Sequence, residues 1–221
     1  MAQMLFTARL GGTSVGQFDS LNLGDHVGDV SESVENNRRI LQGLLSQGEP
    51  KFMNQVHGNE VVEVDENLDS AITADALITR KKGLPLAVLS ADCLPILIKG
   101  KDIVGAIHAG RKGILNGVIA KTIERIRSIS DSELVATIGP AICEKCYEVD
   151  LEMYLDAIAR EPSLATNSES HCLDLKRAAN EQLQMHNLKV IDFGICTAHD
   201  QNYFSYRRDG ITGRNAGVIV L

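Results

Sequence analysis

The stretch from Leu84 to Ile119 constrains this chain most, because it dictates strand, strand, glycine turn and helix in close succession. Two apolar, β-branched runs, residues 94–98 and 103–107, flank Lys99-Gly100-Lys101-Asp102. With Gly100-Lys101 as a two-residue type II′ hairpin loop, Lys99 faces Asp102. Stepping back along both strands then sets Cys93 opposite His108. Directly opposed Cβ atoms on one face of a sheet lie about 4.5–5.5 Å apart. At that separation a thiol and an imidazole can share a proton or a metal ion. The turn that follows, Ala109-Gly110-Arg111-Lys112-Gly113, leads into Ile114, Leu115, Val118, Ile119, Ile123 and Ile126, an apolar stripe at helical spacing. A glycine turn at a helix start offers free N–H groups and the positive end of the helix dipole to a phosphate or an oxyanion. Arg111 and Lys112 place charge at the same point.

The remaining pattern supplies a frame for this stretch. Residues 5–9, 73–79, 134–138 and 190–195 read as strands, and 203–208 with 217–221 read as strands that close the sheet. Helices are expected from Ser31, from Asp150 and from Leu173. The first carries Arg38 and Arg39, one of which is placed to reach an anion. Pro162 to Ser170 reads as an exposed loop. Strands in clusters with helices between them predict an α/β fold bordering on α+β, a mixed sheet flanked by helices. At 221 residues the chain is long enough to bury its own core, and residues 1–221 read as a single domain.

Three polar features are ambiguous in one dimension. His57 precedes Gly58 and therefore sits at a turn or strand break, where spacing alone describes a hydrogen-bonding residue. Asp92, next to Cys93, points to the opposite face of a regular strand and reads as a turn or supporting residue. Cys143-Glu144-Lys145-Cys146 is a C-x-x-C, but a structural zinc site needs a second pair, which Cys172 and Cys196 do not form in sequence. The pair therefore reads as two small, half-buried residues near a helix start. Five cysteines, an odd count, argue for thiols or metal ligands over a disulfide framework. A formal charge of −7 argues against a general nucleic-acid binder. No apolar run approaches a membrane span and no leader pattern is present, so a cytoplasmic protein is expected.

Taken in order, Asn54-Gln55-Val56-His57-Gly58, Ala91-Asp92-Cys93-Leu94-Pro95 and His108-Ala109-Gly110 with Gly113 resemble the YfiH or laccase-domain family, known as multicopper polyphenol oxidases and as purine nucleoside phosphorylases. Further matching blocks are Leu21-Asn22-Leu23-Gly24, Asn37-Arg38, Ile138-Gly139-Pro140, Tyr147-Glu148-Val149 and Phe204-Ser205-Tyr206-Arg207-Arg208 with Gly213-Arg214, so the resemblance spans nearly the whole chain. It implies the cysteine-hydrolase-type fold shared with a bacterial toxin deamidase, and a zinc site of His57, Cys93 and His108, with copper as the alternative metal. It also implies phosphorolysis of adenosine, inosine or methylthioadenosine, and deamination of adenosine. Arg38, Arg111 and Lys112 are the residues expected to hold phosphate. The family usually has Trp-Arg where this chain has Arg111-Lys112; charge is kept, but the flat aromatic surface and the bidentate fork of Arg at the second position are lost. Three other readings compete. The first is a metal-free thiol hydrolase or deamidase with Cys93 as nucleophile and His108 as base. The second is a copper oxidase of phenols, which six histidines in the whole chain do not favour. The third is a closed metal-storing site.

Overall fold

The computed structural model describes residues 2–45, 47–65, 72–167 and 170–221. Among the described residues, nine strands form two sheets. Strands β1 (Gln3–Phe6), β9 (Asn215–Val220) and β4 (Leu86–Ser90) make a three-stranded antiparallel sheet in the order β1-β9-β4. Strands β2 (Val61–Glu63), β3 (Ala76–Thr79), β5 (Leu94–Lys99), β6 (Val104–Ala109), β7 (Val135–Ile138) and β8 (Lys189–Asp192) make a mixed sheet in the order β2-β3-β6-β5-β7-β8. Its outer pairs, β2–β3 and β7–β8, run parallel, and its inner pairs antiparallel.

Alternation along the strands explains the layers. In β5, Ile96 and Ile98 face the helices α2 (Arg111–Leu115), α3 (Val118–Arg127) and α5 (Leu175–Met185), in one core with Ile114, Ile119, Ile123 and Leu183. Leu97 between them faces the other sheet and packs with Val104, Ala106, Leu86, Val88 and Ile219. On the outer face of the small sheet, Ala87, Leu89, Ala216 and Val218 meet Leu41 and Leu45 of α1 (Ser31–Leu45). The order is helix, sheet, sheet, helices. Strands covered on both faces read as unbroken apolar runs, which is why sequence pattern alone did not separate two sheets.

The expected mixed sheet flanked by helices is present, with several local differences. The β5–β6 register is not the expected one. Lys99 pairs with Val104 and Leu94 with Ala109, leaving a four-residue loop. Asp102 does not face Lys99. Its carboxylate accepts hydrogen bonds from Ser130 Oγ at 2.6 Å and from Ser132 Oγ, and Lys101 N–H donates to Ser132 Oγ at 3.1 Å. Gly100 has no positive φ, so the type II′ turn does not form. The helix expected after Gly110 is broken into α2 and α3 at Gly117, which has φ 77°. Residues 203–208 are not a strand. Ser205 caps a single helical turn, α6 (Tyr206–Asp209), by accepting from Arg208 N–H. Residues 217–220 do form most of β9, which starts at Asn215, but in the small sheet. Asp150 caps α4 (Leu151–Arg160) as expected, accepting Met153 N–H at 2.8 Å. The stretch from Pro162 to Ser170 is not wholly exposed, since Pro162–Leu164 forms a 3₁₀ turn with Leu164 buried; Ser168 and Glu169 lie outside the described residues. Among the described residues no helix is long and apolar enough to cross a membrane.

Candidate metal centre

The end of β4, the start of β5 and the end of β6 meet at one edge, and Ala91–Cys93 crosses there from the small sheet to the large one. In the observed register Cys93 continues opposite Gly110. The two-residue change of partner preserves the face: Cys93 and His108 become diagonal neighbours on the side of the small sheet. Gly110 is needed for that approach, because a Cβ there would lie 2.8 Å from Cys93 Sγ and 3.1 Å from His57 Nδ1. His57 reaches the same point from a separate turn, with φ 57°, a region non-glycine residues rarely occupy. One ligand atom from each of His57, Cys93 and His108 lies within 4.8 Å of the others, and the two imidazole centroids are 4.7 Å apart.

Asp75 holds this arrangement from beneath. The residue is fully buried, and its Oδ1 lies 2.8 Å from His108 Nδ1. The same carboxylate accepts backbone N–H from His57 at 3.0 Å, Gly58 at 2.7 Å and Val56 at 3.3 Å. One charged group thus fixes the His108 ring and the turn that presents His57, leaving His108 Nε2 for the cavity. The sequence reading missed Asp75, although an acidic residue inside the apolar run Ala74-Asp75-Ala76-Leu77-Ile78 was a usable signal. Asp92 supports the other side. It has φ 102°, and its carboxylate accepts from Thr197 Oγ1 and Ser205 Oγ, each at 2.7 Å, and from Arg207 N–H at 2.6 Å.

The electrostatics follow from these contacts. Burial pushes the Cys93 thiol up, but the imidazoles of His108 and His57 more than reverse this and bring it down to about 6. Burial opposes charge on His108 too, yet Cys93 and Asp75 on its two sides raise it to about 9. Asp75 is raised by burial and lowered further by His108 and the Gly58 and Val56 N–H groups, ending below the usual carboxylate range. Without metal, the pair at neutral pH is a thiolate beside an imidazolium.

His57, Cys93 and His108 line a cavity of about 560 Å³, together with Gln55, Tyr147, Tyr206, Arg207 and Arg214. Of the three expected phosphate-holding residues, none lines it. Arg38 donates to the Leu23 carbonyl at 2.9 and 3.1 Å, pairs with Asp25 at 3.3 Å and stacks 4.1 Å over Phe52. Arg111 is half-buried at the start of α2, where its charge acts on the Tyr147 phenol, while Lys112 is exposed. The cations that reach the cavity, Arg207 and Arg214, entered the sequence reading only as members of blocks shared with the family, with no role assigned to them.

The donor set suits a catalytic metal. One thiolate and two imidazoles leave a fourth tetrahedral position open, and the Asp75–His108 contact is the carboxylate–histidine support common at zinc sites. Residues 3–221 match the family model described as multi-copper polyphenol oxidoreductase laccase. A purine nucleoside phosphorylase of Corynebacterium glutamicum is 39% identical over 229 residues, covering 98% of this chain and 93% of that protein. One of Streptomyces coelicolor is 37% identical over 227 residues, covering 98% and 94%. Among solved structures, Bacillus licheniformis YfiH superposes with a TM-score of 0.92 at 31% identity, covering 100% of this chain and 92% of that one. A Neisseria meningitidis DUF152 protein gives 0.91 at 34% identity, covering 100% and 94%.

Proposed function

The chain belongs to the multi-copper polyphenol oxidoreductase laccase family, and on that premise we propose that it is a zinc-dependent purine nucleoside phosphorylase with an adenosine deaminase side activity. The observation that carries the reading is one cavity holding a three-ligand His57–Cys93–His108 cluster, two aromatic side chains and two guanidinium groups. Zinc, if bound by His57, Cys93 and His108, would supply a Lewis acid at this point of the cavity. Copper is the alternative occupant that the family name suggests.

The chain's own groups supply binding and orientation. Tyr147 and Tyr206 offer flat surfaces to a purine, compensating for the aromatic residue absent at Arg111. The Tyr147 phenol is pushed up by burial and by Cys93, so it stays protonated at neutral pH and can donate a hydrogen bond. Arg207 and Arg214 hold phosphate by charge-assisted hydrogen bonds, with Arg111 behind Tyr147 as a further cation. Phosphate oxygen then bonds to C1′ of the sugar as the glycosidic C–N bond breaks, and the proton that hydrogenphosphate gives up passes to the departing purine nitrogen. The products are free base with ribose 1-phosphate, or 5-methylthioribose 1-phosphate from methylthioadenosine. The substrates are adenosine, inosine and methylthioadenosine, and the reduced thiols suit the cytoplasm.

The thiolate–imidazolium pair, with Asp75 behind His108, also has the geometry of a nucleophile, base and orienting carboxylate. That favours a thiol hydrolase as the second reading. Incubation of metal-analysed protein with adenosine, with and without phosphate, separates the two. Phosphate-dependent release of adenine, lost in His57→Ala and Cys93→Ala, is expected. Inosine formed without phosphate places deamination first, and absence of any purine product refutes the proposal.

A further inference from the structure

A second sulfur-rich cluster lies outside the site described above. Cys143 and Cys146 bracket a tight turn, in which Cys146 N–H donates to the Cys143 carbonyl at 3.1 Å. Cys196 and His199 bracket another of the same kind, with His199 N–H donating to the Cys196 carbonyl at 3.2 Å. In each turn the first and fourth side chains emerge on one side. A parallel bridge between Ala141 and Cys196 sets the turns next to each other, closed by Thr197 N–H to the Ala141 carbonyl at 3.2 Å. One ligand atom from each of the four residues lies within 4.8 Å of every other, and Cys146 Sγ is 3.0 Å from His199 Nε2. Zn–S and Zn–N bonds of about 2.3 and 2.0 Å put tetrahedral ligand atoms roughly 3.3–3.8 Å apart, so small rotamer adjustments suffice.

The backbone already reaches one of the sulfurs: Cys143 N–H donates to Cys196 Sγ at 3.3 Å. Donors aimed at thiolate ligands are the supporting contacts expected around a metal. A disulfide would use two sulfurs and leave the third cysteine and His199 without a role. The C-x-x-C motif did have its second pair, but as C-x-x-H about 50 residues downstream, beside it only in the fold.

We propose that Cys143, Cys146, Cys196 and His199 form a closed, structural zinc site that fastens residues 141–147 and 196–200 together as one wall of the cavity. Four protein ligands leave no open position, which distinguishes this site from the three-ligand centre. Its neighbours explain the purpose. Ile142 and Tyr147, next to the two turn cysteines, line the cavity. Ile142 N–H donates to the Asp92 carbonyl at 2.9 Å, and Thr197, next to Cys196, donates to the Asp92 carboxylate.

The test uses the full chain as Cys93→Ala, which disables the three-ligand centre, purified in reductant and incubated with zinc. Metal analysis is expected to find about one zinc per chain. A strong chelator should release it and make Cys143, Cys146 and Cys196 reactive together towards an alkylating agent, located by peptide mass. Folded Cys93→Ala without zinc, a disulfide among the three cysteines in reduced protein, or zinc release that leaves their reactivity unchanged would overturn the proposal. If Cys93→Ala does not fold, the same chelator-dependent mapping on the wild-type chain decides. About one zinc in both wild type and Cys93→Ala supports this site and counts against metal at the first.

Discussion

Asp75→Asn tests the centre at its most connected point. The replacement keeps the shape and removes the charge, but an amide has one acceptor oxygen where the carboxylate has two. Asp75 Oδ1 serves His108 Nδ1 at 2.8 Å and His57 N–H at 3.0 Å, while Oδ2 serves Gly58 N–H at 2.7 Å and Val56 N–H at 3.3 Å. In either orientation the new NH₂ faces two groups that were donating. If it faces Gly58 and Val56, the turn presenting His57 loosens. If it faces His108, the ring is driven to the tautomer with a proton on Nε2, the atom left for the metal. Hydrogen bonds to a charged group contribute about 1.5–3 kcal/mol each, so losing one or two lowers folding stability by roughly 3 kcal/mol. Removing a supporting contact of this kind weakens metal binding about 10–100-fold, or roughly 1.4–2.8 kcal/mol. Competition for zinc against a chromophoric chelator measures the affinity, and denaturant unfolding of the metal-free protein measures stability. Zinc affinity within about twofold of wild type, with an unchanged midpoint, would refute the role assigned to Asp75.

Three further outcomes are expected. In metal-free protein, Cys93 alkylation by iodoacetamide should rise with a midpoint of about 6, in place of the ordinary value of 9.0, and zinc should suppress it; a midpoint near 9 contradicts the imidazole contacts. The signs for stability follow from the same shifts. The lowered Cys93 contributes stability that is full above 9.0 and is lost as pH falls through about 6, whereas the raised His108 contributes stability that is full below 6.5 and is lost as pH rises through about 9. Gly110→Ala should abolish tight zinc binding at the first centre and destabilise the fold by about 1–3 kcal/mol, because its Cβ would sit 2.8 Å from Cys93 Sγ; crystallography or metal titration showing an intact centre contradicts this. Arg207→Ala should raise the KM for phosphate roughly 10–100-fold, the loss of about one charged hydrogen bond, with a smaller change for the nucleoside. An equal effect on both substrates would assign Arg207 to holding the cavity wall, through its bond to the Glu148 carbonyl at 2.7 Å.

Local pattern in the sequence determined most of the strands and the start of most helices, since capping residues and apolar periodicity act within a few positions of themselves, whereas His57 joined the candidate cluster only through the family resemblance. It also placed Cys93 and His108 on one face despite the wrong hairpin register. Side-chain direction depends only on whether the shift is odd or even, and the actual shift was two residues. The loop itself was set by Ser130 and Ser132 binding Asp102, partners about 30 residues away that no hairpin rule contains. Tertiary structure alone decided the rest. It split the strands into two sheets, because fully buried strands carry no alternation to reveal a second face. It drew Arg38 onto the Leu23 carbonyl and brought Arg207 and Arg214 to the cavity in its place. It put Asp75 beneath His108, and it set Cys196 and His199 against Cys143 and Cys146, because sequence spacing fixes distances within a turn, whereas distances between turns are fixed by the packing that joins them.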